Sequence, residues 1–389
     1  MLRGWLILAA LCAGCARPSA VALERGVLAY DNAVVTTNSR LLLLNIARAH
    51  RSLPLHFTAV SSIAATYDLR FNAGIGPAAT GELGWLPMPT IGGSVGETPT
   101  LTIVPMQGNE FSERLLRPFD ETKVGLLLSQ GYDVDALLRL IAEGYQEIDP
   151  HEGPLQRNSP ADRAGYAAFR RVVAHLSSAQ DRNLLRVSTL QLTLRRTIPA
   201  ALMDAEQLRS LSADPSLRVD TERQVYEYDA VVTGRAFVSN YDQDELSQEE
   251  RVQLYRHMAR LPNSAILVDL RAGRRGGEVP LHGAVHMRSF QRVLEFVGRG
   301  IAAEREYDVS PDARTPAIRD NPRSALAIVE ANSPPSDGSL SVPLGDRHYA
   351  LAPDPAYPWN RRTFAILYQL FQMTVAELRA PAPLIAVGN

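Results

Sequence analysis

The feature that most constrains this chain is a period of two held from Ser62 to Ile75. The odd positions read Ile63, Ala65, Tyr67, Leu69, Phe71, Ala73 and Ile75, and the even ones Ser62, Ala64, Thr66, Asp68, Arg70, Asn72 and Gly74. Such alternation is a β-strand with one apolar face. After a Gly/Pro-rich tip over Gly76 to Pro89, which holds Trp85, a second run returns. It carries Ile91, Val95, Leu101 and Ile103 on one parity and Thr90, Ser94, Thr98, Thr100 and Thr102 on the other. The two runs predict a long hairpin. Pairing Ile75 with Ile91 would set Ala73 against Gly93, Phe71 against Val95 and Leu69 against Glu97, which puts a carboxylate on the apolar face.

With 389 residues, 46% of them hydrophobic, the chain is long enough for two or three cores, and disorder throughout is excluded. The 40 basic and 42 acidic residues nearly cancel. No global field therefore draws it to nucleic acid, and no nucleic-acid partner is expected. Lys123 is the single lysine, followed by valine and without the glycines of a phosphate loop.

At the N-terminus Arg3 precedes a short apolar run, Gly4 to Leu11, and then Cys12-Ala13-Gly14-Cys15. The charged start, short apolar middle and small-residue end read as a secretory signal and not as a membrane span. Ala13-Gly14-Cys15 resembles the lipobox of bacterial lipoproteins, in which the cysteine thiol is diacylated and becomes the new N-terminus, although Cys12 stands where that pattern usually has leucine. The rival is ordinary cleavage after Ala20-Val21-Ala22. The lipobox reading makes Cys15 the lipidation site and leaves the mature chain without a disulfide. By resemblance to the enteric sorting rule, Ala16, where an inner-membrane lipoprotein would have aspartate, implies the outer membrane. Several acyl chains make a durable anchor.

The expected order is a signal and lipobox over 1–15, a tether over 16–37, a helix, long hairpin and helices over 38–150, and a mixed domain over 151–389. Asn38 is a candidate N-cap for an apolar helix over Ser39 to Ala49. Phe111 to Leu116, Asp120 to Gln130 and a segment opened by Asp133 read as helices, and Gly131 closes the second. Ser159-Pro160-Ala161-Asp162 reads as the start of another, and the loop over Asp149 to Ser159 as a domain boundary. Strands are expected around Leu190 to Leu194, Gln224 to Thr233, Ala265 to Arg271, Ala325 to Glu330 and Leu384 to Val387. Helices are expected over Arg288 to Ala303 and Arg361 to Leu378, and a tight hairpin around Gly345-Asp346. The fold class is α+β, with the long hairpin packed on apolar helices and a mixed α+β C-terminal domain.

The segments Leu41 to His50, His56 to Ile63, Pro99 to Ile103 with Gly108, Phe111 to Leu116, and Trp359 to Pro383 are similar to a family of predicted lipoproteins of Proteobacteria. That resemblance implies an envelope location and brings no activity or catalytic residue with it.

Three constellations invite chemistry. Gly92-Gly93-Ser94-Val95-Gly96 has the letters of a nucleophile elbow, but Glu97-Thr98-Pro99 follows where a helix is required. His282 and His286 have the spacing of a helical metal pair, but Pro280 and Gly283 favour a strand or loop. Arg271-Ala272-Gly273-Arg274-Arg275-Gly276-Gly277 can grip an anion or form a solvated loop. No catalytic residue, cofactor or metal site is assigned, and Cys15 is the one functional residue. The expectation is an outer-membrane lipoprotein facing the periplasm, a binding or assembly component whose partners are the membrane through its lipid, envelope proteins or further copies of itself. The alternatives are an oligomer that lends its hairpin to an outer-membrane pore, and a periplasmic enzyme of the hydrolase class whose site gathers distant residues.

Overall fold

The computed structural model describes residues 16–79, 85–148, 153–354 and 358–375, with backbone alone for 16–25 and 59–104. Cys15 and the strand expected at Leu384 to Val387 lie outside the described residues. The chain is α+β, as the sequence implies, and divides into two compact units: 1–45 with 55–111 and 377–389, and 46–54 with 112–376.

The first unit holds helix α1 (Ala16–His50) as far as Asn45 and the hairpin of β1 (Phe57–Ala79) and β2 (Trp85–Met106). The expected tether over 16–37 is part of α1, and Asn38 lies inside the helix instead of capping it. Thr36 to Ser39 are carried by the strong helix formers that follow, Arg40 to Leu44, and the Ser39 hydroxyl donates back to the Val35 carbonyl at 2.8 Å. Asn45 is fully buried and makes two bonds to one residue: Nδ2 donates to the His56 carbonyl and Oδ1 accepts from its N–H, each at 2.9 Å. The amide thus pins the start of β1. Phe57 packs edge to face on Phe111.

The hairpin register differs from the expected one by two residues: Ala73 meets Ile91, Phe71 meets Gly93, Leu69 meets Val95, and Glu97 meets Tyr67. A slip of two keeps the parity of every position. The pairing runs on to Ala79 and Trp85, well into the segment read as the tip, and a bulge falls between Val60 and Ser62. Pro87, Pro89 and Pro99 are tolerated because β2 is an edge strand of a two-stranded sheet. The Gly92–Gly96 segment lies within β2, which continues to Met106, so no elbow forms.

From Ser112, within α2 (Asn109–Leu116), the second unit continues with α3 (Glu121–Ser129), α4 (Val134–Ile141), β3 (Ala142–Glu147) and β4 (Gln156–Arg157). Asp120 and Asp133 cap α3 and α4, and Gly131 takes φ +82° as a helix stop. There follow α5 (Arg163–Asp181), β5 (Arg186–Pro199), α6 (Ala205–Leu211), β6 (Arg218–Asp220), β7 (Val225–Ser239), α7 (Gln248–Arg260), β8 (Ala265–Leu270) and β9 (Leu281–Met287). The unit ends with α8 (Phe290–Gly300), β10 (Ile328–Ala331), β11 (Ser341–Leu344), β12 (Arg347–Leu351) and α9 (Trp359–Val375).

Asp162, not Ser159, caps α5, its carboxylate accepting from the Gly165 N–H. The loop over Asp149 to Ser159 is no boundary, because β3 pairs with β4 across it and with β9 far downstream.

The main sheet runs β4-β3-β9-β8-β7-β5, with β6 beside β7; β7 and β8 are parallel and the other pairs antiparallel. α7 covers one face through Leu254 and Met258, which join Leu190, Leu192, Phe237 and Leu267 in one cluster. α3 covers the other, where Gly125 sits against Ala236. A three-stranded sheet, β10-β12-β11, closes the unit.

Candidate functional site

The site forms where α7 lies over the ends of β8 and β9. All six residues of β8 are buried, so its polar member, Asp269, has to find partners inside the protein. The basic, glycine-rich stretch after it is the turn into β9. Gly273 and Gly276 adopt φ +78° and +82°, and a Cβ on Gly277 would strike the Arg271 carbonyl. Asn240 anchors this turn, accepting from the Arg271 N–H at 2.9 Å and donating to the carbonyls of Arg271 and Arg275. His175 of α5 bonds the Gly276 carbonyl through Nε2 at 3.1 Å, and burial lowers its pKa, which keeps the ring neutral. α7 is fixed at its start by a Ser247–Glu250 capping box, so Glu250, Gln253, Leu254 and His257 recur on one helical face toward the cleft.

These elements converge on a chain of hydrogen bonds. Asp269 and His282 face each other across the β8–β9 ladder, with Oδ1 to Nδ1 at 2.8 Å, and Nε2 of His282 lies 3.1 Å from Nδ1 of His257. The other Asp269 oxygen takes the Tyr241 hydroxyl and Nε of Arg271, the latter at 3.1 Å. Arg271 also reaches Glu250 at 2.5 Å and lies over the Tyr241 ring.

Burial pushes the Asp269 carboxyl upward, but the bonds from His282 and Tyr241 and the charge of Arg271 outweigh it and hold the group below the ordinary range. Tyr241 goes the other way, raised by burial and by Asp269, so the phenol is the donor.

Proton positions follow. An ionised carboxylate only accepts, so His282 carries its proton on Nδ1 and offers a lone pair at Nε2. His257 then donates to that lone pair from Nδ1. The chain opens on a cleft of about 450 Å³, within the range of small-molecule sites.

Of the candidates raised by the sequence, Arg271 belongs to this cleft, and Arg274 pairs with Glu245 and stacks on Tyr241. His282 and His286 both lie on β9, as the sequence favours, but they are not brought together: His286 bonds Gln146 at 3.1 Å. Among the described residues no group of three or more His, Cys, Asp or Glu side chains is arranged to hold a metal ion. Lys123 sits in α3 beside Asp120. His257, Asp269 and Tyr241 were not among the candidates raised by the sequence. The Ser247-to-Glu250 capping box is the signal that would have placed His257 on a helix. No helix of the described residues is long and apolar enough to cross a membrane. No family model matches the chain, and no match is found among curated proteins or solved structures, so these comparisons leave the lipoprotein resemblance untouched.

Proposed function

We propose that the chain is an outer-membrane lipoprotein, held at the periplasmic face through Cys15, that acts as an assembly component and joins further copies of itself through its hairpin. The observation that carries this reading is the ribbon of 23-residue and 22-residue strands, which among the described residues pair only with each other. An isolated two-stranded ribbon is marginal in water, and its free edges are templates for another strand. Copies paired edge to edge close a ring and remove the edges.

The register supports a membrane segment nearer the tip. Leu69 to Ala79 run against Val95 to Trp85, a stretch that contains no carboxylate, with Tyr67 at one end and Trp85 at the other. A spanning β-strand needs about 9 to 11 residues, with aromatic residues at both interfaces. Glu97, opposite Tyr67, falls outside that stretch.

The test is detergent-extracted full-length protein, examined for rings and for conductance in planar bilayers. Both are expected, and both should vanish when Gly74 to Gly92 is replaced by a short turn, with lipid anchoring intact. Cys15→Ala should shift the protein to the soluble periplasmic fraction. A wild-type protein that is monomeric and non-conducting would overturn the assembly reading, and an N-terminal peptide without acyl mass would overturn the anchor.

A further inference from the structure

A larger cavity, of about 590 Å³, lies in the second unit between the end of α8 and β10. Phe296, Val297 and Ile301 line it from the helix and the residue after it, and Leu326 and Ile328 from the strand and its approach; all five are buried. The charged groups in the lining are Arg305, Glu306, Arg323, Glu330 and Arg347. Both acids are already engaged. Glu306 accepts from Arg139 at 3.1 Å, from the Tyr166 hydroxyl at 2.8 Å and from the Ala325 N–H at 2.5 Å. Glu330 is held by Arg51 at 3.1 Å and by Arg347 at 3.2 Å, and Arg323 pairs with Asp308 at 2.8 Å. Arg305 is different: its Nε donates to the Ile301 carbonyl at 3.3 Å, and no carboxylate of the described residues pairs with its guanidinium. The carbonyls at the end of α8 would repel an anion, and this bond offsets that. A cation without an acid, next to acids that other donors already hold, leaves a positive field beside an apolar wall.

We propose that this cavity binds an amphiphilic monoanion, a carboxylate on an unbranched aliphatic chain of the fatty-acid class. The carboxylate accepts from Nη1 and Nη2 of Arg305, whose planar fork matches its two oxygens. Ser324, kept near Arg305 by the bond between Ala325 and Glu306, adds a hydroxyl donor. The chain lies against the five apolar side chains, and each methylene taken from water there adds affinity. One guanidinium without an acid answers one negative charge. A dianionic phosphate ester would leave its second charge facing Glu306 and Glu330, and an alkylammonium would meet Arg305 itself. No bond is made or broken.

The experiment is calorimetric titration of the full-length protein, in a non-ionic detergent, with hexanoate, propionate, hexanol, hexylammonium and hexyl phosphate; a protein-free titration subtracts partition into the detergent. Saturable binding is expected for hexanoate, with propionate weaker by about ten-fold or more and the other three weaker than hexanoate. Arg305→Gln, an exposed change, should weaken hexanoate about three- to ten-fold, and Arg305→Lys, which keeps the charge, should weaken it less. Nothing lies within 4 Å of a Cβ added at Gly300, so Gly300→Leu narrows the cavity without a collision. It should weaken hexanoate while the melting temperature holds or rises, since leucine favours a helix over glycine. Hexylammonium or hexyl phosphate binding as tightly as hexanoate, hexanoate binding insensitive to both Arg305→Gln and Gly300→Leu, or no saturable binding of hexanoate would each overturn the proposal. None of these outcomes depends on Cys15 or the hairpin, so this site and the assembly reading fail separately.

Discussion

Asp269 and His282 are partners twice over: their backbones pair in the β8–β9 ladder, and their side chains meet at 2.8 Å on one face of the same sheet. Strand pairing thus does the positioning that loops do in many sites, since residues directly opposite in an antiparallel ladder hold their side chains close together.

A pH dependence follows from Asp269. Its folded pKa is depressed, so the unfolded chain binds more protons in acid, and stability rises with pH there. The contribution is fully present above the unfolded value of about 3.9 and is lost as pH falls through the lower folded value. Urea denaturation between pH 5 and pH 2, as rough bounds around that value, should show a steeper loss for wild type than for Asp269→Asn. At neutral pH that variant should be about 1 to 3 kcal/mol less stable.

The turn that carries Arg271 distinguishes two kinds of glycine. At Gly277 an added Cβ runs into the Arg271 carbonyl, whereas at Gly273 nothing lies within 4 Å and only the positive φ opposes a side chain. Thermal melts should show Gly273→Ala costing about 1 kcal/mol. Gly277→Ala should cost more, and its ring-nitrogen NMR signals for His257 and His282 should move, because the turn must shift with Arg271.

Arg139 is fully buried between Asp135 at 3.5 Å and Glu306 at 3.1 Å, and donates to the carbonyls of Pro322 and Arg323. Arg139→Ala strands two buried acids and should destabilise by about 3 to 5 kcal/mol. Arg139→Met combined with Glu306→Gln should recover part of that loss in the same denaturation assay.

Much of the fold was legible because its signals are local. Asp120, Asp133 and Gly131 mark helix ends where the sequence places them, Leu190 and Leu192 alternate as a half-buried strand, and Gly345 takes φ +63° in a two-residue turn. What was misread depended on partners far along the chain. The loop at Asp149 to Ser159 has loop composition, yet the sheet closes around it through β9. α7 carries charge on most of its surface and buries only Leu254 and Met258, so its apolar stripe is too thin to stand out. The cleft was hidden for the same reason: His257, Asp269 and His282 obey no local spacing, and it is the β8–β9 ladder that joins the last two and α7 that adds the first.

The arginine in α4 has a consequence for how the chain is made. Glu306, Pro322 and Arg323 lie 167 to 184 positions after Arg139. As the chain emerges from N- to C-terminus, this guanidinium has Asp135 alone for company until most of the protein has followed. A product cut short before residue 322 would leave the cation without either carbonyl ligand, in the last turn of a helix whose only other charge is Asp135. Limited proteolysis should therefore cut α4 in chains truncated before residue 322 and spare it in the full-length protein.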